Sequence, residues 1–218
     1  MELLLLVVMF LLVAASLWFS GFWSSFVSTI NMFLAACFAT TFFEPLADQI
    51  EYASPATQTY TYMIDFVALW AMFVIAAMFI RAATESFSAV RLRFDPVTEM
   101  AGRSVMSVAA GLIFVCFAQF TLVTAPLPES GSHKGSMLAP DRIWMGFTQS
   151  RSRGALAEAK DPGYLKPYKM PPGLAEHPDD AGLNARVFDP RGVFEDKYLE
   201  RKKVFAEQKT QRVSRKSK

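Results

Sequence analysis

Charges are missing from long stretches at the start of the chain. Leu3 to Phe19 is 17 residues without one, and Phe22 to Phe43 is 22 more, with a single Asn among them. Two further runs follow: Phe66 to Ile80 is charge-free for 15 residues and Ser104 to Ala125 for 22. A bilayer core about 30 Å thick takes about 20 helical residues to cross. The third run is short, since fifteen residues rise only about 22 Å. It still reaches if Asp65 sits at one interface and the long Arg81 side chain extends toward the other. Tyr60 and Tyr62, just before it, suit an interfacial anchor. The pattern predicts an all-α, polytopic membrane protein with four transmembrane helices, at about 3–19, 22–43, 62–81 and 104–125.

The first two runs join into nearly continuous apolar sequence, about twice what one crossing needs. The chain therefore turns back, and Ser20-Gly21 in "FSGFWSS" is the only break. Gly permits the positive φ that ends a helix or makes a tight turn. Trp18 and Trp23 on either side belong at the headgroup level. The expectation is the bend of a helical hairpin. A signal peptide cut near Ala14-Ala15-Ser16 is the rival, but such peptides carry a basic n-region and this chain begins Met1-Glu2.

Further on, Pro45 suits the first turn of a separate short helix, with Leu46, Ile50 and Ala53 on one face. "ATESFSAV" after Arg81 reads as a similar surface segment. Asp95-Pro96 then turns the chain into the fourth crossing.

Composition divides the chain at Pro126. Up to Ala125 there are eight acids and four arginines, net −4, and the remainder is net +6. This gives a membrane domain, 1–125, and a polar, C-terminally basic tail, 126–218. Nine of the 12 prolines and eight of the 11 glycines fall in that tail. Such density predicts a long, mostly irregular chain rather than a packed domain. Within it, "DRIWMGFTQS" places Ile143, Trp144 and Phe147 together, as a short amphipathic piece at the membrane surface or a partner contact. "GVFEDKYLERKKVFAEQKT" is a candidate helix with Phe194, Tyr198 and Phe205 in register, and its bases suit anionic lipid or another acidic polymer.

Charge also orients the molecule. All four arginines of the membrane half lie in 81–103, while the loop 44–60 has three acids and no base. Cytoplasmic loops collect Lys and Arg close to membrane ends. Loop 81–103 is therefore expected in the cytoplasm, with the bend on the same side and the C-terminal tail outside. The eight bases of the last 20 residues lie more than 70 residues past Ala125, beyond the reach of that rule.

Polar groups inside the spans are the candidate functional residues. Asn31 and Gln119 are amides in lipid, where an unpaired amide is costly, so each should meet another helix. Asp65 reads either as a hydrated interface residue or as a proton-carrying carboxylate. Ala35 with Ala39, and Ser107 with Gly111, are small residues four apart that let helices approach closely. Cys37 and Cys116 read as small apolar side chains, and His133 and His177 as loop residues. No phosphate loop, metal-spaced His pair or nucleophile elbow is present, so neither a cofactor nor an enzymatic role is expected.

The bend followed by "SGFWSSFVSTINMFLAACFATTFFEPLADQI" resembles the second helix of the CvpA (colicin V production protein) family. Members show Arg-Gly-Phe at the bend, then an Ala/Phe-rich span ending in an aromatic pair. Gly21-Phe22 and Phe42-Phe43 match, although Ser20 stands where Arg is usual. "FDPVTEMAGRSVMSVAAGLIFV" is similar to the start of the family's last helix, where an acidic residue leads to spaced glycines. Here those are Gly102 and Gly111, nine apart instead of at steps of four. The resemblance covers roughly 1–125. It implies a multi-pass bacterial inner-membrane protein required for colicin V production or export.

The expected function is a non-enzymatic accessory or scaffold in toxin export or envelope maintenance. Its bundle-packing or path-lining residues would be Gly21, Asn31, Asp65, Gly102, Gly111 and Gln119. The alternatives are a small oligomeric channel or transporter subunit, and a membrane anchor whose basic tail binds something. Expected partners are the bilayer, a second copy, or envelope and export proteins.

Overall fold

The computed structural model describes residues 2–53, 61–87, 94–125 and 140–157, together with Phe188, Phe194, Tyr198, Leu199, Lys202 and Lys203. Five helices are described: α1 (Glu2–Trp18), α2 (Phe22–Ala53), α3 (Thr61–Phe87), α4 (Pro96–Thr124) and α5 (Pro140–Ala157). Among the described residues there is no strand.

Three of these helices are long and apolar enough to cross a membrane, over Phe22–Ala47, Met63–Glu85 and Pro96–Thr124. α1 is apolar but has only 17 residues, about 25 Å of rise. Of the four expected spans, three are thus of spanning length, with a shorter apolar helix before them. α3 is longer than its charge-free core because its backbone stays helical through both Asp65 and Arg81.

Local chemistry sets the helix limits. Ser20 N–H donates to Leu17 O at 3.0 Å, and Gly21 follows with φ +83°. Ser25 N–H then donates to Gly21 O at 2.9 Å and starts α2. α4 begins one residue past Asp95, whose carboxylate accepts from Val97 N–H, with Pro96 in the first turn where its missing N–H costs nothing. The chain leaves the helix at Ala125, just before Pro126.

Two boundaries differ from expectation. α2 runs unbroken through Pro45, so "EPLADQI" continues that helix and is not a separate one. Pro45 denies the Thr41 carbonyl its i+4 donor, and packing of Phe43 and Ala47 holds the helix together across the gap. "ATESF" likewise continues α3 to Phe87.

The hairpin does not pair as expected either. α1 lies chiefly along α4, and α2 packs between α3 and α4. Thr29 reaching Met106 O, and Phe43 beside Phe120, set α2 parallel to α4. Asn31 bonded to Thr84, with Trp70 beside Phe117 at the Phe43 end, sets α3 antiparallel to α2. Ala35, Ala36, Ala39 and Ala110 are fully buried and let the helices close in, while Phe43, Leu69, Phe117 and Phe120 fill the core. Leu4, Leu11, Leu34, Val74, Ile75 and Leu112 are exposed around the outside, as lipid-facing side chains are in a bilayer.

The tail is the largest departure. Part of it is not irregular: α5 is an 18-residue helix packed on α4. Trp144 is buried, and its indole N–H donates to Thr40 Oγ1 at 3.0 Å. Phe188, Phe194 and Tyr198 join the same core, with Phe194 stacked on Phe120 at 5.2 Å. Aromatic side chains long enough to bridge between helices bring these segments in. Tyr62 of the expected tyrosine anchor falls in the first turn of α3, whereas Tyr60, both histidines, Phe205 and the Pro/Gly-rich stretch 160–180 lie outside the described residues.

Candidate functional site

The bend and the start of α4 form one clasp. Gly21 allows the left-handed backbone that leaves Phe22 N–H pointing out of α2's first turn. That donor finds no side chain nearby in sequence. Glu99, 77 residues on, supplies its Oε1 at 2.7 Å. A carboxylate at a helix N-terminus also meets the positive end of the helix dipole. In return Ser25 Oγ donates to Leu17 O at 2.6 Å, satisfying a carbonyl at the end of α1. Arg103, one turn after Glu99, lies 5.7 Å from the Trp18 ring centroid, within cation–π range.

The glycines of α4 receive phenylalanines. A Cβ built on Gly102 would lie 2.5 Å from the Phe22 ring, and one on Gly111 would lie 2.6 Å from the Phe10 ring. A nine-residue separation, in place of steps of four, matches these two rings on the facing segment. A Cβ on Gly21 would come within 3.2 Å of Glu99 Oε1. Gly21 and Gly102 are therefore brought into one place with Phe22 and Glu99, and Gly111 forms a second seat further along α4.

The other candidates stand apart. Asn31 Nδ2 donates to Thr84 Oγ1 at 2.8 Å, while its Oδ1 is buried without a hydrogen-bond partner among the described residues. Gln119 is buried about three turns beyond that level, and its Oε1 also lacks such a partner. Asp65 lies at the end opposite the bend. It is 6% exposed and accepts the Tyr198 hydroxyl at 2.6 Å, so the hydrated-interface reading gives way to a buried, bonded carboxylate. Tyr198 covers it from 133 residues away.

Sequence reasoning did not single out Glu99, Phe10 or Thr84 as partners. Glu99 carried a signal, as the acid preceding the spaced glycines. Phe10 and Thr84 carried none, because each is one among many similar residues on its helix.

Long apolar helices with their polar groups turned toward one another define a polytopic membrane protein. Residues 1–145 match the family model for the colicin V production protein, and the chain belongs to that family. The match extends past α4 into the first turns of α5. No curated protein and no solved structure matches the chain.

Proposed function

We propose that this protein is a non-enzymatic accessory or scaffold of the inner membrane that supports production or export of a colicin V-type toxin. Membership of the colicin V production family carries the reading. The destinations of the polar side chains support it: Glu99 caps another helix, Asn31 bonds α2 to α3, and Asp65 holds the tail. These are holding roles, and a scaffold needs no others. In this reading loop 81–103 faces the cytoplasm, because it collects the membrane half's arginines.

The test is complementation of a toxin-producing strain that lacks the protein. Variants Glu99→Ala, Gly102→Leu and Asp65→Asn are scored for released toxin and for assembled membrane protein. Release is expected to track the amount assembled, with toxin retained inside cells that lack the protein. A variant assembled at the normal level yet unable to support release would overturn the scaffold reading.

A further inference from the structure

α5 is unlike the helices it packs against. Its 18 residues, "PDRIWMGFTQSRSRGALA", include three arginines and one aspartate. Yet it lies against the middle of the apolar bundle. Trp144 meets Phe33 at 6.2 Å and Phe117 at 5.8 Å between ring centroids, and Phe147 meets Phe33 at 5.4 Å. Phe33 is eleven residues from Phe22 and ten from Phe43, the centre of a charge-free stretch. Measured along α2, that is about 16 Å from either end, the depth of the hydrocarbon midplane.

At this depth the surrounding exposed residues of α2 are Leu34 and Phe38, both apolar. The outward side of α5 begins apolar, with Ile143 exposed, and turns polar further on. Gly146, Ser150 and Arg151 are exposed, and nothing lies within 4 Å of where a Gly146 Cβ would be. The Arg151 guanidinium is 5.6 Å from the Phe147 ring centroid, which ties it to the same level. A guanidinium is a poor neighbour for acyl chains. Charged residues within a membrane domain face water or protein.

We infer that the outward face of α5 borders a water-filled cleft at membrane depth, and that Arg151 makes this cleft favour small anions over cations. The physical ground is that water solvates the exposed Ser150 hydroxyl and Arg151 guanidinium where lipid does not, and that a fixed guanidinium raises the local concentration of anions. The inference stands apart from the accessory role, which fails by toxin release, whereas this one fails by thiol reactivity.

The full-length protein, with Cys37 and Cys116 replaced by alanine, is examined in liposomes with one new cysteine at a time: Ser150→Cys, Gly146→Cys, or Leu34→Cys as the lipid-facing control. Two membrane-impermeant methanethiosulfonates of similar size are compared, one bearing a sulfonate and one a trimethylammonium. Both should modify Ser150→Cys and Gly146→Cys and leave Leu34→Cys unmodified. The sulfonate should react faster by roughly threefold or more, and Arg151→Gln should remove that preference. A thiol at Ser150 and Gly146 that reacts only with a lipid-soluble maleimide, or only after unfolding, overturns the cleft, since lipid or protein then covers α5. Modification of Leu34→Cys places this level in bulk water and overturns it as well. Equal rates for the two reagents, or a preference that survives Arg151→Gln, overturns the assignment of anion selectivity to Arg151.

Discussion

Gly102 shows how one missing methyl group shapes the bend. The Phe22 ring occupies the space where its Cβ would be, 2.5 Å from the nearest ring carbon. Gly102→Ala is expected to cost about 1–3 kcal/mol through overpacking, read as a lower unfolding midpoint in detergent. Adding Phe22→Leu should return part of the loss, because the clashing ring is gone; an unchanged midpoint for Gly102→Ala would contradict the seat. Glu99 is the second residue at this place. Glu99→Ala removes the acceptor for Phe22 N–H and should cost about 1–2 kcal/mol, with Glu99→Gln costing less because its amide oxygen still accepts. Equal losses for the two would mean that charge, not the hydrogen bond, is what matters. Asp65 and Tyr198 form the third residue-scale contact, at 2.6 Å. A double-mutant cycle with Asp65→Asn and Tyr198→Phe should give a coupling of about 1–3 kcal/mol, and additive losses would show that the hydroxyl does not hold the carboxylate.

At the scale of elements, the surprise is how little α1 and α2 depend on each other despite their adjacency in sequence. α4 is the shared surface: it receives α1 through Gly111, the bend through Gly102 and Glu99, and α5 through Phe117. The order of helices was readable from hydrophobic runs, because spanning length and charge exclusion are local properties. The pairing was not, because any apolar face suits any other in lipid, and the choice falls to a few glycines, rings and hydrogen bonds. α5 depends on Trp144, which is 4% exposed and bonded to Thr40. Trp144→Ala should release this helix at a cost of about 3–5 kcal/mol. Limited trypsin digestion checks it: cleavage at Arg151 should quicken many-fold in the variant, and unchanged cleavage would mean that α5 is held elsewhere.

For the whole molecule, the bend and the junction leading into α4 lie at one end, joined by Phe22 and Phe94 rings 5.0 Å apart. Asp65, Tyr198 and the α4 carbonyl of Leu122, which accepts from Lys202 Nζ, lie at the other. The proposed orientation, with the arginine-rich loop in the cytoplasm, predicts that single cysteines at Ser88 and Ser217 label differently in intact cells: Ser217 with an impermeant reagent, Ser88 only after lysis. Labelling of Ser88 but not Ser217 would reverse the orientation, and labelling of both or of neither would change the number of crossings between them. The sequence by itself determined the membrane class, the bend at Ser20-Gly21 and the family, since apolar length, a glycine between aromatic-rich runs and a local motif are all properties of contiguous residues. It also placed Gly102 and Gly111 on the last long helix. Only the tertiary structure decided that Phe22 and Phe10 fill those glycines, that Glu99 caps a helix 77 residues away, and that the tail's aromatics return to bury Asp65. Those contacts join positions far apart in the chain, and they depend on distances that a pattern of polar and apolar residues does not encode.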